Sequence, residues 1–255
     1  MKIRKFSISR SYEIKCKLFE PKDSPVKQII IGVHGFAGDK ESSMLRKLGK
    51  ECTRHCCGLL CFDFPAHGNS PVNEDMLTVE NCKQDLYGVL QYARKQYPNA
   101  VKSIFATSFG GYITLLSAHS FPDYPLVLRA PAVTMPKLLL KNVLCTTEEH
   151  FKQVGSIRCG FERPIQLPYR FLEELQQQED LSKKKLPQEM LIIHGDRDNI
   201  VPLEDIRAFT EHHQGASLQI LPGADHRFKN PGETERILFL TRSFLHFEPE
   251  STPFP

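Results

Sequence analysis

Four short stretches of this 255-residue chain carry residue types that can attack a carbonyl or move a proton. The first is Ala-Thr-Ser-Phe-Gly-Gly at 106–111, between the apolar run VKSIFATS and the helical pattern FGGYITLLSAHS. A serine at such a strand-to-helix junction stands on a tight turn. The positions two before and two after it then need tiny side chains, and Ala106 and Gly110 qualify. The turn lifts the Ser108 hydroxyl clear of a sheet, in strained backbone. The helix opening at Phe109 aims free N–H groups at the same spot, which suits an oxyanion. The plainer alternative is a serine that only caps a helix. The second stretch is His34-Gly35-Phe36, after the run IIIGV, where Gly35 allows a close bend. The third is His-Gly-Asp-Arg-Asp-Asn-Ile-Val-Pro at 194–202, where Asp196 and Asp198 compete to supply a carboxylate. Loop aspartates are more often turn formers. The fourth is Gly-Ala-Asp-His at 223–226, ending in a candidate base, His226. Asp225 is a poor partner for it, because adjacent side chains in extended chain point apart. The other nine histidines read as surface or packed core.

These residues need elements to hold them. The first 20 residues alternate in polarity and predict two antiparallel strands. VKQIIIGV (26–33), GLLCFDF (58–64), VKSIFATS (101–108), YPLVLRAPAV (124–133), QEMLIIHG (188–195) and SLQILPG (217–223) predict strands, several of them buried on both faces. Helical spacing recurs over 43–55, 77–97, 109–120, 202–213 and 233–247. Strand and helix alternate, which argues for a mostly parallel sheet covered on both faces. From 134 to 186 the periodicity is mixed, and this stretch reads as an insertion over one end of the sheet. Each candidate residue then sits at the C-terminal end of its strand, where open α/β sheets bind ligands.

The composition bounds the partners. Net charge is +3, too small to suggest nucleic-acid binding. The N-terminus lacks the apolar core of a signal peptide, and no stretch approaches the ~18 apolar residues of a membrane span. The expectation is a cytoplasmic protein with no membrane partner. With no sign of an oxidising compartment, the eight cysteines read as reduced thiols. Cys52, Cys56, Cys57 and Cys61 cluster around His55, but without a C-x-x-C pair packed thiols are a better reading than zinc.

The whole pattern resembles the α/β-hydrolases across nearly the full chain. That family's acid loop runs HG-x-x-D-x-x-VP, which places the acid at Asp198 rather than Asp196. Ser108, Asp198 and His226 also follow the family's chain order of nucleophile, acid and base. Asp63-Phe-Pro-Ala-His-Gly-Asn-Ser70 looks like the family's D-x-x-G-x-G-x-S loop, with Ala66 where glycine is usual. The closing Gly-Ala-Asp-His-Arg-Phe (223–228) and the insertion resemble bacterial cinnamoyl/feruloyl-type carboxylesterases and serine aminopeptidase-like hydrolases. The resemblance implies an α/β-hydrolase fold with about eight strands and one domain over 1–255, with 134–186 as its cap. It implies an oxyanion hole from the Phe36 and Phe109 N–H groups, and no metal or cofactor. The substrate expected is a small soluble ester with a short-chain or aromatic acyl group. A peptidase or thioesterase on the same triad and a non-catalytic hydrolase-like binder stay open. Phe151, Phe161, Tyr169 and Phe171 are candidates to line the site, though at least half should form the insertion's own core.

Overall fold

A computed structural model describes residues 1–160 and 164–248. Its frame is an eight-stranded sheet in the order β1-β2-β4-β3-β5-β6-β9-β10. Strands β1 (Lys2–Ser9) and β2 (Glu13–Glu20) pair antiparallel, and β2 also runs antiparallel to β4 (Cys57–Phe62). All remaining pairs, through β3 (Gln28–Val33), β5 (Val101–Thr107), β6 (Leu126–Arg129), β9 (Met190–Gly195) and β10 (Ala216–Leu221), are parallel.

The central strands are apolar throughout because helices cover both faces. Along β3, Ile29, Ile31 and Val33 face one core and Ile30 the other. The same alternation divides Ile104 and Ala106 from Phe105, and Met190 and Ile192 from Leu191 and Ile193. Helices α1 (Ser43–Arg54) and α8 (Glu233–Phe244) cover one face. Helices α2 (Val79–Gln96), α3 (Phe109–Ser117) and α7 (Leu203–His212) cover the other. Ser42 and Thr78 start α1 and α2 by accepting the Leu45 and Asn81 N–H groups. Cys52, Cys57 and Cys61 are buried where α1 packs on β4, and burial raises their thiol pKa values. No helix among the described residues is long and apolar enough to cross a membrane.

The chain runs from β3 to β4 on one side and then returns to β5 on the other. The sheet order reverses there, so the loops after β3 and β5 diverge and leave a crevice at their C-terminal ends. Between β6 and β9 the mixed-period segment contains more regular structure than its sequence predicts. It holds α4 (Met135–Leu138), a π-helical turn over Leu139–Val143, α5 (Glu148–Val154), a small hairpin of β7 (Ser156–Cys159) and β8 (Ile165–Pro168), and α6 (Tyr169–Gln176). None of these pieces is long enough to establish a period.

The loop after β4 is held by a buried ion pair. Asp63 accepts from Lys40 Nζ at 2.5 Å, from the Lys40 N–H at 2.8 Å and from the Asn69 N–H at 2.7 Å. Both side chains are out of water. Gly68 has no room for a Cβ, which would stand 2.3 Å from the Asp63 carboxylate. Ala66 sits at φ 60°, the left-handed backbone that explains why glycine is usual there. Replacing Asp63 with Asn strands a buried ammonium. D63N should lose about 3–5 kcal/mol in chemical denaturation.

Candidate active site

Ser108 occupies the N-cap position of α3, yet its side chain makes no capping bond. Its backbone lies at φ 49°, ψ −116°, a region a serine enters only when its surroundings force it. Two close approaches supply the force. A Cβ on Gly110 would stand 2.3 Å from the His34 carbonyl oxygen, and one on Gly111 would stand 2.9 Å from the Pro131 ring. The Ser108 N–H donates to the Arg129 carbonyl at 3.0 Å, and its own carbonyl accepts from Ala132 and Tyr112. The hydroxyl is thereby turned away from the helix and lies 3.0 Å from His226 Nε2.

His226 Nδ1 lies 2.7 Å from Asp198 Oδ2. A carboxylate only accepts, so Nδ1 carries the proton, and Nε2 is left to accept from the Ser108 O–H. Asp198 sits on the loop after β9 with its side chain fully buried. Its Oδ1 accepts from the Ile200 and Val201 N–H groups at 2.9 and 2.8 Å. Burial alone would push its carboxyl pKa up. The His226 bond and charge, with the two backbone bonds, pull it below its ordinary value, so the group stays ionised. His194 stands behind it, with Nε2 donating to the Val201 carbonyl at 3.0 Å.

The competing aspartates have other partners. Asp196 accepts from the Gly223 N–H and braces the acid loop against the histidine loop. Asp225 accepts from the Arg227 and Phe228 N–H groups and shapes the turn after His226. Phe36 and Phe109 flank Ser108. A Cβ on Gly35 would lie 3.3 Å from the Ser108 Cβ, so this loop passes as close as a glycine permits. Among the described residues the Phe36 N–H has no acceptor, and the Phe109 N–H opens α3, where no intrahelical acceptor exists.

Two histidines, His34 and His67, hold this loop. His34 Nε2 accepts from the Phe64 N–H at 3.1 Å, and its Nδ1 donates to the Gly35 carbonyl at 2.8 Å. Burial holds its pKa down. His67 Nε2 accepts from the Ala37 N–H at 3.0 Å, and its Nδ1 donates to the Pro65 carbonyl at 2.7 Å. Both histidines lie within motifs already singled out, but nothing in the spacing shows that the two loops meet.

The segment after β6 reaches the site twice. Phe171 of α6 is fully buried, with its ring 6.3 Å from that of Phe36 and 5.9 Å from that of Phe109. Asn142, in the π-helical turn, donates to the Ile200 carbonyl at 2.7 Å. Phe151 instead packs on Tyr169 at 5.4 Å, inside the segment itself. Phe161 lies outside the described residues.

A family model described as serine aminopeptidase, S33, matches residues 24–156, more than half of the chain. The chain belongs to this hydrolase family. The matched region of this S33-family hydrolase includes Phe36, Ser108 and Phe109, while Asp198 and His226 lie beyond it. The search against curated proteins finds no match. Among solved structures, the chain is similar to Est1E from Butyrivibrio proteoclasticus with ferulic acid bound, at TM-score 0.82 and 21% identity, covering 94% of this chain and 99% of that one. It is also similar to α/β-hydrolase domain-containing protein 10 from mouse, at TM-score 0.76 and 18% identity over 96% and 99% of the two chains. A third similar structure is the esterase domain of a Rhodothermus marinus protein, at TM-score 0.71 and 22% identity over 95% and 97%. At these identities the likeness establishes the α/β-hydrolase fold.

The approach of Gly110 to His34 is backbone against backbone, so a methyl group there cannot be absorbed by a side-chain rotation. Gly110→Ala should lower stability by about 3 kcal/mol, read as a fall in thermal midpoint.

Proposed function

We propose that this hydrolase cleaves carboxylic esters of small soluble substrates, with short-chain or aromatic acyl groups, through an acyl-enzyme on Ser108. One observation carries the reading. The Ser108 hydroxyl declines the helix cap it is placed to make and instead meets His226 Nε2, whose other nitrogen is fixed on a buried carboxylate.

In this reading Ser108 Oγ attacks the ester carbonyl as its proton passes to His226 Nε2. Asp198 holds the imidazole in the required tautomer and stabilises its charged form. The Phe36 and Phe109 N–H groups receive the oxyanion, a contribution of roughly 10²–10³ in turnover for each such donor. Collapse expels the alcohol, which takes the proton from His226. A water, deprotonated by the same nitrogen, then releases the acid and restores Ser108.

We read 1–255 as one domain in which 134–186 is a cap over the crevice. Phe171 is its contact with the acyl side of the site, and Phe151 and Tyr169 are its own core. The ferulic acid bound to Est1E is the support for including aromatic acyl groups. The same groups can cleave an amide, and the family's description as an aminopeptidase makes that the second reading.

The test is a panel of p-nitrophenyl esters of rising chain length plus methyl ferulate, run beside aminoacyl p-nitroanilides. Ester turnover is expected, and S108A should abolish it while keeping the fold. D198N should lower turnover by about 10⁴-fold, as loss of the orienting carboxylate does in such triads. D196N keeps an acceptor for the Gly223 N–H and should stay near wild type. Wild-type turnover in S108A overturns the nucleophile, and turnover of anilides alone favours the peptidase.

A further inference from the structure

His226 sits on a loop that must hold it between Ser108 and Asp198. On its N-terminal side that loop is anchored twice, by the Gly223 N–H on Asp196 and by the Arg197 N–H on the Ala224 carbonyl at 3.0 Å. On its C-terminal side the anchor comes from the sheet. Arg129, the last residue of β6, lies in register between Thr107 of β5 and Ile193 of β9. Its guanidinium donates to the Arg227 carbonyl at 2.7 Å and lies 4.5 Å from the centre of the Phe228 ring. The residue is 9% exposed. Its backbone carbonyl is also the acceptor for the Ser108 N–H. One residue thus touches the backbone of the nucleophile and that of the loop carrying the base.

A buried arginine at this place is costly unless something uses it. Its Nε has no partner among the described residues, and the guanidinium makes no direct ion pair there. Burial lowers its pKa to about 10, against the pull of Asp198, Asp225 and Glu233.

We propose that Arg129 is a positioning residue for the hydrolytic reaction: its guanidinium fixes the carbonyl of Arg227, next to His226, while its own carbonyl fixes the Ser108 N–H. This rests on the reading of Ser108 and His226 given above.

The experiment compares wild type, R129K and R129Q. The readouts are the rate at which a fluorophosphonate labels Ser108 and the NMR signal of the His226 Nδ1 proton held on Asp198. R129Q is expected to label about 10²-fold more slowly, the scale of an ångström-level misplacement of the base. Its Nδ1 proton signal should shift or be lost. R129K keeps the charge but not the planar fork. It should label at an intermediate rate. A folded R129Q with wild-type rate and a wild-type Nδ1 signal overturns the proposal, since a merely structural role lowers the thermal midpoint alone. If R129Q does not fold, R129K decides: a slowed rate supports the proposal, and a wild-type rate overturns it. An unlabelled wild-type protein counts against the reading of Ser108, and the Nδ1 signal then judges Arg129. A changed signal in R129Q supports the proposal there, and an unchanged one overturns it.

Discussion

The site depends on one contact between backbones. The first turn of α3 presses against the His34 carbonyl so closely that only a glycine at 110 fits. That approach forces Ser108 into left-handed backbone and frees its hydroxyl from the helix it begins. It also brings the loop after β3 beside the loop after β5, so that Phe36 and Phe109 flank one point. A sheet with another strand order would not place those two loop ends together.

Around that contact the polar groups are arranged by burial. Asp198 is out of water and remains a carboxylate because an imidazole N–H and two backbone N–H groups point at it. The loop at 34–38 is tied to the loop at 63–70 through His34 and His67, and that second loop is closed by the Lys40–Asp63 pair. The supports of the triad are themselves polar and buried. In the two tied loops, both ring nitrogens of His34 and of His67 and both carboxylate oxygens of Asp63 have partners, as interior polar groups need.

Much of this is written in the sequence. The central strands are legible because burial on both faces demands unbroken runs such as IIIGV and MLIIHG. Ser108, Asp198 and His226 are legible because each follows such a run, so the topology that places the strands also gathers the three residues. The roles of His34, His67 and Asn142 are not legible. Each acts by bonding to a backbone group 30 or more residues away, and backbone groups leave no trace in residue type. The elements between 134 and 186 escape for a different reason. A helix of eight residues or a hairpin of four-residue strands completes too few turns for a period to emerge.

The segment between β6 and β9 is not an independent module resting on the sheet. Through Phe171 it abuts the two residues flanking Ser108, and through Asn142 it grips the loop that carries Asp198. Its irregular elements are therefore spliced to both loops that meet at Ser108 and to the loop of Asp198. A graft of this segment from another protein would disturb the seating of Phe36 and Phe109 and the hold on the loop of Asp198, unless the ring at 171 and the amide at 142 travelled with it.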